Sequence, residues 1–258
     1  MKKLNSLFHK RIGMLENEKI TFEKLADVLE KTAQNIPFEN LNIIANKTCD
    51  ITKENLIDKI LERNEGGLCY ELNTLFYFYL MENGFNATLA SGVVYNHSAQ
   101  EYTKVGRTHV TILFNHKDQI YLIDTGFGSN LPLKPVPLSG ETISSNNGEF
   151  RIKKVNSELG DYVLEMKLKH KDTEWKIGYI FDSRKPILDA ANLNEIQTII
   201  EEHPESSFNK NPLITRLTNN GNITLTNTTF TQWVDGNVSK ETIDYVKFKE
   251  LAKQHFRM

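Results

Sequence analysis

The stretch Gly66-Gly67-Leu68-Cys69-Tyr70-Glu71-Leu72-Asn73 organises the first third of the chain. Apolar residues then recur with helical spacing until Gly84, namely Leu72, Leu75, Phe76, Tyr79 and Leu80. This pattern predicts a helix that begins at or just after Cys69. The free N–H groups and the positive dipole end of a helix N-terminus favour the thiolate, which is the nucleophilic form of cysteine. On this stretch alone an inert, buried thiol is the commoner outcome, because free cysteine often packs as a small hydrophobe.

Composition limits the classes of function. The chain has 258 residues, of which 39% are hydrophobic and 25% charged, and its net charge is −2. No Lys/Arg-rich block suggests nucleic acid as a partner, and no run is long and apolar enough to suggest a membrane. The N-terminus has basic residues without an apolar run behind them, so it does not resemble a signal peptide. With two cysteines, Cys49 and Cys69, we expect free thiols in a reduced cytoplasm.

Helical patterns dominate residues 1–84. Thr21 is placed to cap a helix that Ile36-Pro37 ends, because the residue before proline is pushed out of the α region. Thr52 is placed to cap the next helix. Three charged residues are expected on the solvated side of that helix: Lys59, Glu62 and Arg63.

Strand patterns follow Gly84. Residues 87–95, 109–114, 120–124, 162–170 and 174–181 read as strands, with a hairpin at 109–124, and they predict an antiparallel sheet or barrel. Residues 125–149 read as a long loop. The last part is mixed, with a helix at 193–202, short polar strands at 213–230 and a final helix that Ser239 would cap.

Cysteine chemistry fits the chain better than metal or phosphate chemistry. CxxC and HExxH are absent from the sequence, which argues against a metal site, and Gly126-Phe127-Gly128 is too short for a phosphate loop. A cysteine nucleophile needs a histidine base and a carboxylate that orients it. His109 opens one predicted strand and Asp124 closes the next, where hairpin pairing can bring them together. Both have structural alternatives, and spacing alone leaves four other histidines as bases: His97, His116, His170 and His203.

Four motifs in order resemble the arylamine N-acetyltransferases. They are residues 37–41 (Pro-Phe-Glu-Asn-Leu), residues 66–73, residues 107–109 (Arg-Thr-His) and residues 121–128 (Tyr-Leu-Ile-Asp-Thr-Gly-Phe-Gly). The resemblance covers nearly the whole chain. It implies an α+β fold with a cysteine-peptidase-like core, in which residues 1–84 form a helical bundle, 85–190 a β-barrel and 191–258 an α/β lid.

The resemblance also implies an activity. It implies transfer of acetyl from acetyl-CoA, without a metal, to an arylamine, arylhydrazine or arylhydroxylamine by a ping-pong route. It also implies a role in xenobiotic metabolism. Cys69 would carry the acetyl group, His109 would be the base and Asp124 the orienting carboxylate. The resemblance places three phenylalanines in the acceptor pocket: Phe38, Phe127 and Phe208. It places Gly106 and Thr108 at contacts with CoA or substrate.

One residue departs from the family pattern. The family usually has arginine before the two glycines, where this chain has Glu65. A carboxylate there is expected to disfavour a nearby thiolate. Two alternatives to the transferase stay open at this point. One is a cysteine hydrolase of the peptidase or amidase type, and the other is a catalytically silent binding protein on the same fold.

Overall fold

Helices form the first part of the chain in the computed structural model, which describes residues 3–258. They are α1 (Lys3–Ile12), α2 (Leu25–Asn35), α3 (Leu41–Ile44), α4 (Lys53–Leu56) and α5 (Cys69–Glu82). A 3₁₀ turn (Phe22–Lys24) leads into α2, and a π-helical segment (Ile57–Glu62) continues α4. As predicted, Ile36 is extended before Pro37, and the Thr52 hydroxyl accepts a hydrogen bond from the Asn55 N–H, with a separation of 3.2 Å.

The prediction that Lys59 lies on a solvated helix side is wrong. Its side chain is buried, with 8% of the residue exposed, because its ammonium group meets two carboxylates from elsewhere in the chain. Helical spacing does not reveal such partners, since they lie 12 and 20 residues away in sequence.

A large antiparallel sheet follows α5 and forms a nearly closed barrel. Its strands are β2 (Asn86–Asn96), β3 (Glu101–Tyr102), β4 (His109–His116), β5 (Gln119–Ile123), β6 (Val136–Pro137), β7 (Ile143–Ser145), β8 (Gly148–Ser157), β9 (Gly160–Leu168) and β10 (Lys176–Ile187). The order is β6-β5-β4-β2-β10-β9-β8-β7, with β3 paired to β2. The predicted loop at 125–149 therefore contains two short strands and the start of a third.

A second antiparallel sheet lies toward the C-terminus. It joins β1 (Phe38–Glu39) to β11 (Leu213–Thr218), β12 (Gly221–Thr226), β13 (Thr229–Val234) and β14 (Asn237–Thr242), in that order. Helix α6 (Ala190–Glu202) precedes it, and α7 (Tyr245–Leu251), continued by a π-helical segment (Ala252–Phe256), follows it. The residues of β1 thus belong to the same sheet as the C-terminal strands.

The predicted cap at Ser239 is wrong. Ser239 lies in β14 and pairs with Gln232 of β13, because Asp235 and Gly236 form a turn with positive φ that closes a hairpin. The N-cap of α7 is Asp244, whose carboxylate accepts a hydrogen bond from the Lys247 N–H at 2.8 Å.

One apolar core joins the helices to the barrel. Helix α5 is buried along most of its length and packs against strands β2 and β4. The start of α5 therefore points at the end of the barrel where β4 begins. The α+β class and the cysteine-peptidase-like arrangement of bundle and barrel are confirmed, while the three domain boundaries remain a prediction. Of the helices within residues 3–258, none is long and apolar enough to cross a membrane.

Candidate active site

Cys69 is the first residue of α5, as its sequence context predicts. It is buried, with 6% of its surface exposed, and its Sγ lies 3.5 Å from the Thr108 carbonyl oxygen. Gly126 packs against it from the barrel, where an added Cβ would come within 2.5 Å of the Cys69 Cα. The cysteine is therefore held between a helix N-terminus and two barrel segments.

The two glycines before Cys69 are required by close packing. A Cβ at Gly66 would lie 2.0 Å from the Pro37 carbonyl oxygen, and one at Gly67 would lie 2.8 Å from Glu71 Oε2. These contacts bring β1 and the start of α5 together. The Gly-Gly pair thus serves backbone approach between protein segments.

His109 and Asp124 meet in the hairpin of β4 and β5. The register pairs Ile112 with Ile123, which places Asp124 opposite Thr111. His109 is then the diagonal neighbour of Asp124 on the same face of the sheet. His109 Nε2 lies 2.7 Å from Asp124 Oδ2. Both side chains are almost fully buried. The predicted juxtaposition is present as a diagonal pair.

Four donors surround the Asp124 carboxylate. Oδ1 accepts from the Asn73 amide at 2.9 Å and from the Gly126 N–H at 2.8 Å. Oδ2 accepts from His109 and from the Tyr179 hydroxyl, which lies 2.8 Å away. Burial raises the pKa of Asp124, but the His109 charge and the hydrogen bonds from His109, Asn73 and Gly126 outweigh it and hold the pKa below the usual value. The carboxylate is therefore an ionised acceptor with both oxygens satisfied.

The pKa of His109 moves in the opposite direction. Burial lowers it, but the Asp124 charge and hydrogen bond, together with the hydrogen bond and charge of Cys69, raise it to about 10. The rings of Phe127 and Tyr179 flank the imidazole, with centroid distances of 5.0 and 4.3 Å. With Nε2 directed at Asp124, Nδ1 is the nitrogen available to the thiol. The arrangement is a charged imidazole, oriented by a carboxylate, beside a cysteine.

The other histidines considered as bases have different partners. His97 Nε2 lies 2.8 Å from the Ile177 carbonyl oxygen, His116 stacks on Phe22, and His203 Nδ1 accepts from the Glu205 N–H. His170 packs against Gly236, at the contact between the barrel and the second sheet.

Asn73 and Tyr179 are site residues that the sequence reasoning missed. Asn73 lies one turn after Cys69 in α5, where its amide donates to Asp124 and to the Val110 carbonyl oxygen and its Oδ1 accepts from the Thr125 N–H. Its place within the quoted stretch, on the same helix face as Cys69, was an available signal. Tyr179 comes from β10, and no spacing in the sequence connects it to Asp124.

The predicted acceptor-pocket residues lie in two groups. Phe38 and Phe208 form an edge-to-face pair, with centroids 5.6 Å apart. Phe127 lies against His109 instead, and the next residue, Gly128, packs against Phe38. Of the predicted CoA contacts, Thr108 precedes His109 and is nearly buried. Gly106 is half-buried, with a φ of +81° and open space beyond its Cα.

Glu65, the unusual residue before the glycines, has partners of its own. Its carboxylate pairs with Arg63, with Nε and Oε1 separated by 3.1 Å, and accepts from the Asn42 amide at 3.2 Å. About a quarter of the side chain is exposed. Its negative charge is therefore met by a neighbouring cation and partly by solvent.

Comparisons with known proteins place the chain among acetyltransferases. A family model described as N-acetyltransferase matches residues 21–258. A probable arylamine N-acetyltransferase of Dictyostelium discoideum is 32% identical over 96% of this chain and 90% of its own length. Arylamine N-acetyltransferase C from Bacillus anthracis is 41% identical, with a TM-score of 0.94, and the match covers 100% of this chain and 99% of that one.

A further solved structure differs in its third site residue. An arylamine N-acetyltransferase from Bacillus cereus is 40% identical, with a TM-score of 0.93 over 98% of this chain and 97% of that one, and is described as having a Cys-His-Glu catalytic triad. This chain has Asp124 beside His109. With these matches, the chain belongs to the arylamine N-acetyltransferase family, and it is an acetyltransferase.

Proposed function

We propose that this enzyme transfers acetyl from acetyl-CoA to the nitrogen or oxygen of an arylamine, arylhydrazine or arylhydroxylamine, through a thioester on Cys69. The observation that carries the proposal is the 2.7 Å contact between His109 and Asp124 beside a cysteine at a helix N-terminus. Family membership supports the reaction class, and the local chemistry supports the roles of the three residues.

The first half-reaction moves the acetyl group to the enzyme. The thiolate of Cys69 attacks the thioester carbonyl carbon, and the carbon–sulfur bond to CoA breaks as the tetrahedral intermediate collapses. His109 holds the proton taken from the Cys69 thiol and gives it to the departing CoA sulfur. Asp124 keeps Nδ1 of His109 directed at the sulfur and stabilises the imidazolium. The products are free CoA and acetylated Cys69.

The second half-reaction moves the acetyl group to the acceptor. The acceptor nitrogen or oxygen attacks the carbonyl carbon of acetyl-Cys69, and His109 takes the proton that this atom loses. Collapse of the intermediate releases the acetylated product and the Cys69 thiolate. Because CoA leaves before the acceptor reacts, the kinetics are ping-pong.

Three phenylalanines supply the aryl specificity in this proposal. Phe127 lies beside the imidazole, and Phe38, which pairs with Phe208, packs against Gly128. The three rings are suited to stacking on an aryl group. Gly106 and Thr108 would contact CoA, since Gly106 leaves open space and Thr108 adjoins Cys69. The two cysteines are free thiols, in keeping with a cytoplasmic setting.

The experiment compares Cys69→Ser with Cys49→Ser. Cys49 is also a free cysteine but is exposed, so it is the matched control. We expect Cys69→Ser to abolish CoA release from acetyl-CoA in the presence of an arylamine, and Cys49→Ser to retain it. CoA release near the wild-type rate from Cys69→Ser would reject the assigned nucleophile.

Mass spectrometry separates the transferase from a hydrolase. A transferase holds the acetyl group on Cys69 until an amine is added, whereas a hydrolase passes it to water. A silent binding protein would not acquire the group. A screen of acetyl-, propionyl- and malonyl-CoA against arylamines and hydrazines would then identify the preferred donor and acceptor.

A further inference from the structure

A buried lysine is connected to the start of the Cys69 helix. Lys59 lies in the π-helical segment after α4, and its Nζ is 2.5 Å from Glu71 Oε1 and 3.6 Å from Glu39 Oε1. All three side chains are at most 10% exposed. Burial opposes the charge on Lys59, but Glu71 and Glu39 outweigh it and raise the pKa of the lysine. The lysine is therefore a cation at neutral pH, enclosed by carboxylates.

Glu71 connects this cation to the residue before the cysteine. While Oε1 meets Lys59, its Oε2 accepts a hydrogen bond from the Leu68 N–H at 2.9 Å. Leu68 is the N-cap of α5, and Cys69 follows it directly. The carboxylate packs directly against Gly67, where a Cβ would lie 2.8 Å from Oε2. The contacts thus run from Lys59 through Glu71 to the peptide that sets the position of Cys69.

Glu39 depends on the same lysine. Its Oε2 accepts from the Leu41 N–H at 2.6 Å, while Oε1 has no hydrogen-bond partner among the described residues and lies 3.6 Å from Lys59 Nζ. Burial and the neighbouring Glu71 raise the pKa of Glu39, and Lys59 opposes this. Without the lysine, two buried carboxylates would face each other beside α5, which costs enough to protonate or displace one of them.

We propose that Lys59 is a positioning residue for the nucleophile, acting through Glu71 and the Leu68 peptide. It does not touch the reacting atoms. The inference rests on the proposed role of Cys69 and extends it to a residue outside the triad. Displacement of Glu71 would release the N-cap peptide, and a shift of about 1 Å in a reacting group can lower a rate by about 100-fold.

The chain provides a matched control at the other end of the same helix. Lys53 of α4 pairs with Glu82 of α5, with Nζ 2.5 Å from Oε1, and that contact is 13 residues from Cys69 in sequence. Substitution of Lys53 therefore removes a lysine–glutamate pair on α5 without changing the contacts of Leu68, the N-cap of α5.

The test measures alkylation of Cys69 by iodoacetamide, which needs no acetyl-CoA and so is independent of the proposed reaction. At a temperature where each variant is folded by circular dichroism, we expect Lys59→Met to slow alkylation at least about tenfold. Lys59→Arg and Lys53→Met should stay within about threefold of the wild type. In acetyl transfer, Lys59→Met should lower kcat and leave the KM for acetyl-CoA unchanged, because Lys59 does not contact the donor.

Either of two results with the lysine variants would overturn the proposal. One is a folded Lys59→Met variant whose alkylation rate stays within about threefold of the wild type. The other is an equal loss of rate in Lys53→Met, which would indicate a general effect of stability. If Lys59→Met does not fold, Glu71→Gln replaces it, because a glutamine has one oxygen and cannot serve both Leu68 and Lys59. A wild-type alkylation rate in folded Glu71→Gln would also contradict the proposal.

Discussion

Asp124→Asn tests the centre of the site with the smallest change in shape. All four groups around the carboxylate are donors, two at each oxygen. An asparagine supplies one oxygen and one NH2 group, so two donors must face a donor. If the NH2 group lies at the Oδ2 position, His109 must turn its unprotonated Nε2 toward it. The proton then resides on Nδ1, where it prevents the imidazole from accepting the thiol proton.

The expected size of the effect follows from the pKa of His109. A rise from 6.5 to about 10 corresponds to about 5 kcal/mol, at about 1.4 kcal/mol for each pKa unit. Cys69 contributes part of this shift, so we assign about 3–5 kcal/mol to Asp124, which is the range for breaking a buried ion pair. A wrong histidine tautomer lowers a rate by about 10⁴-fold in a comparable triad. We therefore expect loss of both stability and acetylation.

The variant should also change the pH dependence of stability. The raised pKa of His109 stabilises the fold fully below about pH 6.5, the pKa of a histidine in the unfolded chain. This stabilisation is lost as the pH rises through about 10. The lowered pKa of Asp124 stabilises the fold above about 3.9, and this contribution is lost as the pH falls through the folded value. The unfolding free energies of the two proteins should differ most between about pH 4 and 6.5 and approach each other toward about pH 10.

Two assays check these expectations. Urea unfolding across the pH range gives the stability difference, and mass spectrometry after mixing with acetyl-CoA gives the rate of Cys69 acetylation. Asp182→Asn is the control, because Asp182 is also buried and paired, with Arg184 on β10. The reasoning is refuted if folded Asp124→Asn acetylates Cys69 within about tenfold of the wild-type rate, or if the stability difference does not vary with pH.

Three further predictions follow from the packing. Gly126→Ala should destabilise the protein by about 1–3 kcal/mol and slow alkylation of Cys69, since its Cβ would meet the Cys69 Cα at 2.5 Å; an unchanged melting temperature would contradict this. Tyr179→Phe should lower stability by about 1–2 kcal/mol through loss of the bond to Asp124, as measured by urea unfolding, and no loss would show that the bond is not needed. Phe208→Leu should raise the KM for an aryl acceptor and leave the rate of Cys69 acetylation unchanged, and a slower acetylation would reject its assignment to the acceptor pocket.

The sequence was sufficient for the parts of the site that depend on local pattern. The helix beginning at Cys69 follows from apolar spacing and the preceding glycines, and the His109–Asp124 pair follows from two adjacent strands joined by a short turn. The family resemblance selected His109 among the histidines, which spacing could not do. These inferences succeeded because their partners are close in sequence or lie in one hairpin.

The missed residues share a different property. Tyr179 reaches Asp124 from a strand 55 residues away, and Lys59 reaches Glu39 and Glu71 from a different helix. A sequence pattern predicts that a charged residue beside the apolar face of a helix is exposed to solvent, unless the residues that pair with it are known. Strand β14 was missed for a related reason, since its exposed polar residues carry no apolar alternation and pair only with β13.

Asp124→Glu addresses the difference from the Bacillus cereus relative described with a Cys-His-Glu triad. One added methylene would push the carboxylate toward His109, which already lies 2.7 Å away, in a site where Asn73 and Tyr179 are also fully buried. Because four donors enclose the carboxylate, we expect this site to favour aspartate over glutamate. We expect the single substitution to slow acetylation of Cys69 by about 100-fold, the cost of misplacing a group in the site by about 1 Å. Acetylation within about threefold of the wild-type rate would show that the shell adapts, and the difference between the two proteins would then lie elsewhere.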